Sequence, residues 1–384
     1  MRWRFPHPSE DRARQAMLGR IDTWWRAFEA QAPQIVALFS RAADWDLAEW
    51  MGRNLGAIDE RIMWEFAPGV AGGRWRLVLT PEAERRLRPL VDVVLSRAPR
   101  IPGWEFYPHR LAEGMESALF TVQGRTGVDI SAFEVSARPG EGLVHLAFGP
   151  PPGSPRNGGK DLDASFLAAE TLLGEDVLDL WIGEVAIERR SPCTPLAELP
   201  ARVAALIEAW QGGLPAEPCW RRHKTSGWTL WRLNPVEADD YPGQFDLGVA
   251  KSMDPPMWQA AHSRWIFDSR RFSRCGETFC YLKVDGSQRL PADGFRDKTA
   301  IEDAVDEVLV PRGLGCHVGG GTGRRYSYVD MALVDVQGAL DVLLPVLRGG
   351  KLPRRAWILF FDGTLADEWV PVWDDAPRPP LLGG

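Results

Sequence analysis

The sequence lacks a cysteine framework, an apolar leader, a long hydrophobic run and a catalytic signature, and each absence excludes a class. Its five cysteines (Cys193, Cys219, Cys275, Cys280, Cys316) are odd in number and scattered, which excludes a scaffold of paired disulfides. The opening Met1-Arg-Trp-Arg-Phe-Pro-His-Pro has no apolar stretch of the kind a secretion signal needs. No apolar run approaches the ~18 residues of a bilayer span. Together these features predict a reduced, cytoplasmic protein with no membrane partner.

Charge and motif limit function further. The formal charge of −7 argues against general nucleic-acid binding, which requires a basic face to displace counterions. There is no Gly-x-Ser-x-Gly, no His-Glu-x-x-His, no Gly-x-Gly-x-x-Gly between a strand and a helix, and no Gly-Lys-Ser/Thr. The six histidines (His7, His109, His145, His223, His262, His317) lie far apart without a motif around any of them. No catalytic residue, metal or cofactor is implied. Cys275, Cys280, Cys316 and His317 can be imagined around zinc, but Cys-x4-Cys is looser than a zinc knuckle. Adjacent Cys316 and His317 would also point apart on a strand. A cysteine inside an apolar strand behaves as a small hydrophobe.

What is present is size and tryptophan. At 384 residues the chain exceeds one ordinary core and predicts two domains, at roughly 100 to 200 residues each. Eighteen tryptophans supply large apolar area with one N–H donor apiece, which suits cores and interfaces alike.

Along the chain, Met17, Ile21, Trp24, Trp25 and Phe28 recur at helical spacing. Pro33 is expected to end that helix and open a second, and Asp44 or Asp46 to cap a third. Residues 62–66 and 75–80 read as a hairpin. Thr80-Pro81-Glu82 reads as a helix start. Residues 104–107, 119–123, 128–137 and 143–148 read as strands, 149–159 as an exposed loop and 161–173 as a helix. A strand at 181–188 and a helix at 196–210 follow, and 212–218 reads as a linker between domains 1–212 and 219–384. In the second half, strands are expected at 228–233, 245–250 and 279–284, with a helix at 299–310. Residues 258–267 are ambiguous. The predicted class is α+β: two domains, each a mostly antiparallel sheet with helices packed on one face.

The densest signal is residues 313–373: a glycine turn, a strand from Tyr326, a helix, and a strand at Trp357-Ile-Leu-Phe-Phe. Gly319, Gly320, Gly321 and Gly323 followed by Arg324 and Arg325 resemble an anion cradle, in which glycine N–H groups and two guanidiniums meet a phosphate. A phosphate loop must lead into a helix, and here a strand follows, which favours a tight hairpin turn. Tyr326, Tyr328 and Asp330 share one strand face, either a ligand or partner surface or a half-buried face covered by other structure. Residues 122–127 echo 318–323, consistent with a distant duplication. Other candidates are Glu65 within a strand, a cluster of Trp228, Trp231, Trp369 and Trp373, and the acidic close Asp362, Asp367, Glu368, Asp374 and Asp375, facing a basic partner or solvent.

Ser-Arg-Ala-Pro-Arg-Ile-Pro-Gly-Trp-Glu-Phe (96–106), Leu-Leu-Gly-Glu (172–175), Trp-Ile-Gly (181–183) and Gly-Gly-Thr-Gly-Arg-Arg-Tyr-Ser-Tyr-Val-Asp (320–330) resemble a family of uncharacterised bacterial cytoplasmic proteins, domains of unknown function. The resemblance covers most of 20–375. By architecture it implies a likeness to immunity proteins, which neutralise a toxin by binding it, and it assigns no catalytic residue. The absence of a catalytic motif, the tryptophan excess and the acidic balance set the expected function as non-enzymatic binding of another protein. The alternative is a small-molecule or nucleotide-binding enzyme using residues 319–325. The candidate binding residues are Gly320, Gly321, Arg324, Arg325, Tyr326, Tyr328 and Asp330.

Overall fold

A computed structural model describes residues 1–151, 158–287 and 290–381 and shows an α+β fold. Two units separate: Met1–Ser136 with Ala147–Pro200, and Ala137–Leu146 with Ala201–Gly384. The expected loop at 149–159 lies mostly outside the described residues.

The first part of the chain holds α1 (Asp11–Phe39), α2 (Leu47–Asn54), β1 (Met63–Pro68), β2 (Trp75–Thr80), α3 (Arg88–Ser96), β3 (Trp104–Tyr107) and α4 (Met115–Thr126). It continues through β4 (Glu134–Gly140), β5 (Leu143–Gly149), α5 (Gly159–Leu173), α6 (Glu175–Trp181), β6 (Ile182–Ile187) and β7 (Thr194–Pro195). Strands β1, β2 and β3 form one sheet, antiparallel then parallel. A second sheet runs β6-β5-β4-β7.

The first core explains α1. Ile21, Trp24, Trp25, Phe28, Ala32 and Ile35 form one buried stripe at helical spacing. It packs on Leu77, Leu79, Leu90, Val91 and Val94. Trp25 and Phe106 meet edge to face at 4.8 Å, and the Trp25 indole donates to the Val94 carbonyl at 2.7 Å. Much of the tryptophan excess is thus core. The helix runs through Pro33 unbroken, against expectation, because the buried stripe continues on both sides and outweighs the lost N–H. Asp46 caps α2, accepting from the Glu49 N–H.

Two more expectations fail locally. The helix expected at Thr80 begins at Arg88 instead. Thr80 turns its hydroxyl to Glu175, and Glu82, at φ 49°, reaches Arg110. Residues 119–123 are helical within α4, not a strand. Ala118 and Val122, one turn apart, are buried there, and a five-residue apolar run carries too little periodicity to distinguish the two.

After α7 (Leu199–Gly213), the second unit holds α8 (Cys219–Arg222), β8 (Thr229–Arg232), β9 (Leu247–Ser252), α9 (Pro255–Ala261), β10 (Thr278–Asp285) and α10 (Lys298–Leu309). Then come β11 (Gly315–Gly323), β12 (Tyr326–Leu333), α11 (Val336–Gly349), β13 (Ala356–Phe360) and β14 (Trp369–Pro371). They form one antiparallel sheet in the order β14-β13-β10-β12-β11-β9-β8. Helix α10 packs on β11 and β12, and α11 on α10. The ambiguous 258–267 segment starts inside α9. The proposed echo does not survive: 122–127 ends a helix, whereas 318–323 lies in a strand.

Candidate functional site

The glycine run is a strand, not a turn. Gly319, Gly320, Gly321 and Gly323 lie in β11, paired on one side with β9 and on the other with β12. Their backbone groups are committed to two ladders, so the anion cradle does not form. The β11–β12 turn is the following Arg324-Arg325, so the hairpin expected here exists but the glycines are not its turn.

Close approach explains the glycines. A Cβ on Gly319 would sit 2.9 Å from the Asp330 carboxylate and 2.8 Å from the Lys251 carbonyl. One on Gly321 would sit 2.5 Å from Leu247, and one on Gly323 would enter the Asp246 carboxylate. Gly320, at φ +136°, would drive a Cβ into the Tyr328 carbonyl. Gly323→Ala should therefore cost the second unit about 1 to 3 kcal/mol by overpacking, read as a lower urea midpoint at unchanged slope.

Asp246 is the hub. It is fully buried and accepts the N–H groups of Arg325 and Tyr326, each at 2.8 Å, and the Tyr328 hydroxyl. The Tyr326 hydroxyl donates to Asp240 at 2.6 Å, and Arg355 bonds the same carboxylate at 2.7 Å. Arg325 pairs with Asp285 at 3.0 Å. Arg324 sits apart, exposed, 3.7 Å from Glu237. Lys283 is buried under this layer. Its ammonium donates to the Tyr241 and Gly243 carbonyls and lies 4.1 Å from the Tyr326 ring centre. Burial lowers its pKa to about 8, with Asp246 and Asp240 opposing.

Asp330 ends the row. Gln244 donates to its Oδ1 at 2.6 Å and faces His262 Nε2 at 3.0 Å. Its Oδ2 is buried without a partner. Of the candidate residues, Tyr326, Tyr328, Asp330 and Arg325 are thus brought together, under a lid formed by the chain's own 239–246 segment. Gly321 and Gly319 pair with Tyr328 and Asp330 beneath it, whereas Gly320 pairs with Val329, on the other face. Sequence reasoning missed Asp240, Gln244, Asp246 and Lys283. Acids beside Pro242 and Gly243 look like a solvated turn, and their partners lie about eighty residues further along.

The remaining candidates disperse. Cys280 and Cys316 are buried, and Cys275 is half-buried. His317 turns to Asp306, Nδ1 to Oδ2 at 2.6 Å, and no metal-binding group of three or more His, Cys, Asp or Glu occurs among the described residues. Trp228 stacks on His317 at 5.3 Å and Trp231 on Trp258 at 4.1 Å. Trp369 is core, and Trp373 donates to the Leu352 carbonyl. The acidic close is engaged: Asp362 accepts from Ser269, Asp374 pairs with Arg348 and Asp375 with Arg354.

Glu65 does belong to a site, in the first unit. It pairs with Arg110 at 3.0 Å, and the same guanidinium binds Glu82 at 2.7 Å and Glu170 at 3.0 Å. A pocket of about 120 Å³ opens beside them, lined also by Glu113, Thr121 and Arg125. Its residues come from β1, α4, α5 and the 108–114 connection, a convergence with no sequence motif.

No protein-family model, curated protein or solved structure matches the chain. Among the described residues no helix is long and apolar enough to cross a membrane.

Proposed function

We propose that the protein is a non-enzymatic, cytoplasmic binder of another protein, and that the free edge of the second unit's sheet is where the partner docks. One observation carries this reading: the sheet ends at β8 with Leu230 in solvent beside exposed Val249 and Trp228. Among the described residues no strand pairs with the outer side of β8. Leu230 is 71% exposed, Val249 on the neighbouring strand 48% and Trp228 37%. Leu230 faces Lys251 across the ladder and Arg232 faces Val249, so Leu230, Arg232, Val249 and Lys251 share a face. The Lys251 ammonium lies 4.9 Å from the Trp228 ring centre, extending that face.

An unpaired edge with an apolar face is a template for strand addition. Arg232 and Lys224 flank it, exposed and without ion partners among the described residues. The matching partner presents an extended segment with alternate apolar residues and flanking acids. The immunity-type form of the reading, in which the partner is a toxin, rests on the family resemblance. The enzyme alternative finds less support, since residues 319–323 have spent their backbone groups in the sheet and the tyrosine face is covered.

Leu230→Asp and Val249→Asp test this. Both positions are exposed, so the melting temperature should hold. A partner captured from the native host by the unaltered protein should bind at least about tenfold more weakly to each variant. Hydrogen exchange at 229–232 should slow in the complex. Capture of nothing, or of a partner indifferent to both substitutions, overturns the proposal.

A further inference from the structure

The pocket of the first unit is built from half-used carboxylates. Glu65 gives Oε2 to Arg110, Glu170 gives Oε1 to Arg110, and Glu113 gives Oε1 to Arg76. The second oxygen of each has no hydrogen bond among the described residues, and none of the three is a buried orphan. Those oxygens are open to the pocket or to solvent. All three side chains are half-buried, at 29%, 19% and 30% exposure. Burial pushes the Glu170 carboxyl up, with Arg110 opposing, so a further cation beside it is favoured.

Helix α4 adds a positive charge to the lining. Thr121 and Arg125 stand one turn apart on α4, both line the pocket, and neither has a side-chain partner among the described residues. The lining thus combines three carboxylates, each with an oxygen not used inside the protein, with a guanidinium and a hydroxyl that have no partner among the described residues. The pocket's volume is about 120 Å³, room for several water molecules. That volume suits a molecule of five or six heavy atoms at an open mouth.

We propose that this pocket binds a small free α-amino acid, its ammonium among Glu65, Glu113 and Glu170 and its carboxylate on Arg125 and Thr121. Three N–H donors match three acceptors, and guanidinium–carboxylate pairing supplies the strong, directional end. A zwitterion adds no net charge to a lining in which three carboxylates face two guanidiniums, and its ammonium meets the acidic excess. This site is separate from the β8 edge and does not depend on it.

Calorimetric titration of the full chain tests it, with glycine, alanine and serine as ligands. Methylamine and acetate are the two half-molecules. The expected result is saturable binding of at least one amino acid, with each half-molecule at least about tenfold weaker. Arg125→Gln, at an exposed helix position, should weaken amino-acid binding about tenfold and leave methylamine unchanged. Thr121→Val should weaken it less. No saturable binding of any of the three, methylamine binding as tightly as alanine, or an Arg125→Gln variant indistinguishable from the parent overturns the proposal. None of these outcomes bears on capture through β8.

Discussion

Glu175→Ala is expected to destabilise the first unit by about 3 to 5 kcal/mol, the range for removing one partner from a buried ion pair. Glu175 is 2% exposed and opens α6. Its carboxylate accepts the Thr80 hydroxyl, the Arg88 guanidinium at 2.6 Å and the Arg110 backbone N–H at 2.9 Å. Arg88 also donates to the Pro108 carbonyl at 2.6 Å and to Asp179 at 3.0 Å. One carboxylate thus ties together the end of β2, the start of α3, the 108–110 connection and α6. Removing it leaves the Thr80 hydroxyl and the Arg110 N–H without that acceptor, and leaves the largely buried Arg88 charge balanced by the more exposed Asp179 alone; desolvated donors and a weakened charge balance carry the cost.

Unit-specific readout matters because both units contain tryptophan. Amide exchange in α3 and α6 should accelerate in Glu175→Ala while exchange in β10 and β12 does not. Glu175→Gln, which keeps an acceptor oxygen, should lose less. A cycle with Arg88→Ala should show coupling of about 2 kcal/mol or more, since each single change removes the other's charge partner and the double change leaves neither behind. A loss below about 1 kcal/mol, or additive single changes, would show that water replaces the carboxylate without penalty.

Periodic elements were legible in the sequence, and pairings at a distance were not. The α1 stripe, the β1–β2 hairpin, the Asp46 cap, and strands β3, β5 and β10 follow from local spacing and capping chemistry. The α+β class follows from their alternation. Reading failed where a long-range partner decided. Thr80 and Glu82 carry helix-start chemistry, yet Glu175 and Arg110 claim their side chains. The run Gly319-Gly-Gly-Thr-Gly carries turn chemistry, yet Asp246, Leu247 and Asp330 need the space above it. Glycine marks either a bend or a close approach, and only the neighbour's identity separates the two. The residues named around that run do converge, but on a buried network rather than an open surface.

That network makes a second large effect testable. Wild-type stability should fall as pH rises from about 4 to about 7 through Asp330, and Asp330→Asn should abolish that component. Burial pushes the Asp330 pKa from 3.8 up to about 7. Gln244 donates to Oδ1 and favours the charged form. Lys298 and His317 also favour it and Glu302 opposes, but all three act at a distance through the sheet. Oδ2 faces no donor, so desolvation dominates. In this window the folded protein holds a proton that the unfolded chain has released, so rising pH favours unfolding. The stabilising term is complete below the ordinary carboxylate range and is gone above about pH 7.

The change is about 1.4 kcal/mol per pH unit, and relaxation discounts the total to on the order of 2 to 4 kcal/mol by pH 8. Asparagine preserves shape and the acceptor for Gln244. Its amide N–H₂ also lacks an acceptor at the Oδ2 position, a penalty that adds a constant and leaves the pH dependence untouched. Asp362, pushed up to about 6 by burial, titrates in both proteins and cancels in the comparison. Unfolding free energies of the two proteins at pH 4.5, 6, 7 and 8 therefore isolate one side chain. The variant should gain on the parent from pH 4.5 to 7 and level off toward pH 8. A difference that stays flat from pH 4.5 to 8 would mean that Asp330 is ionised throughout, its charge balanced by Gln244 and by water reaching Oδ2 beside Gly319.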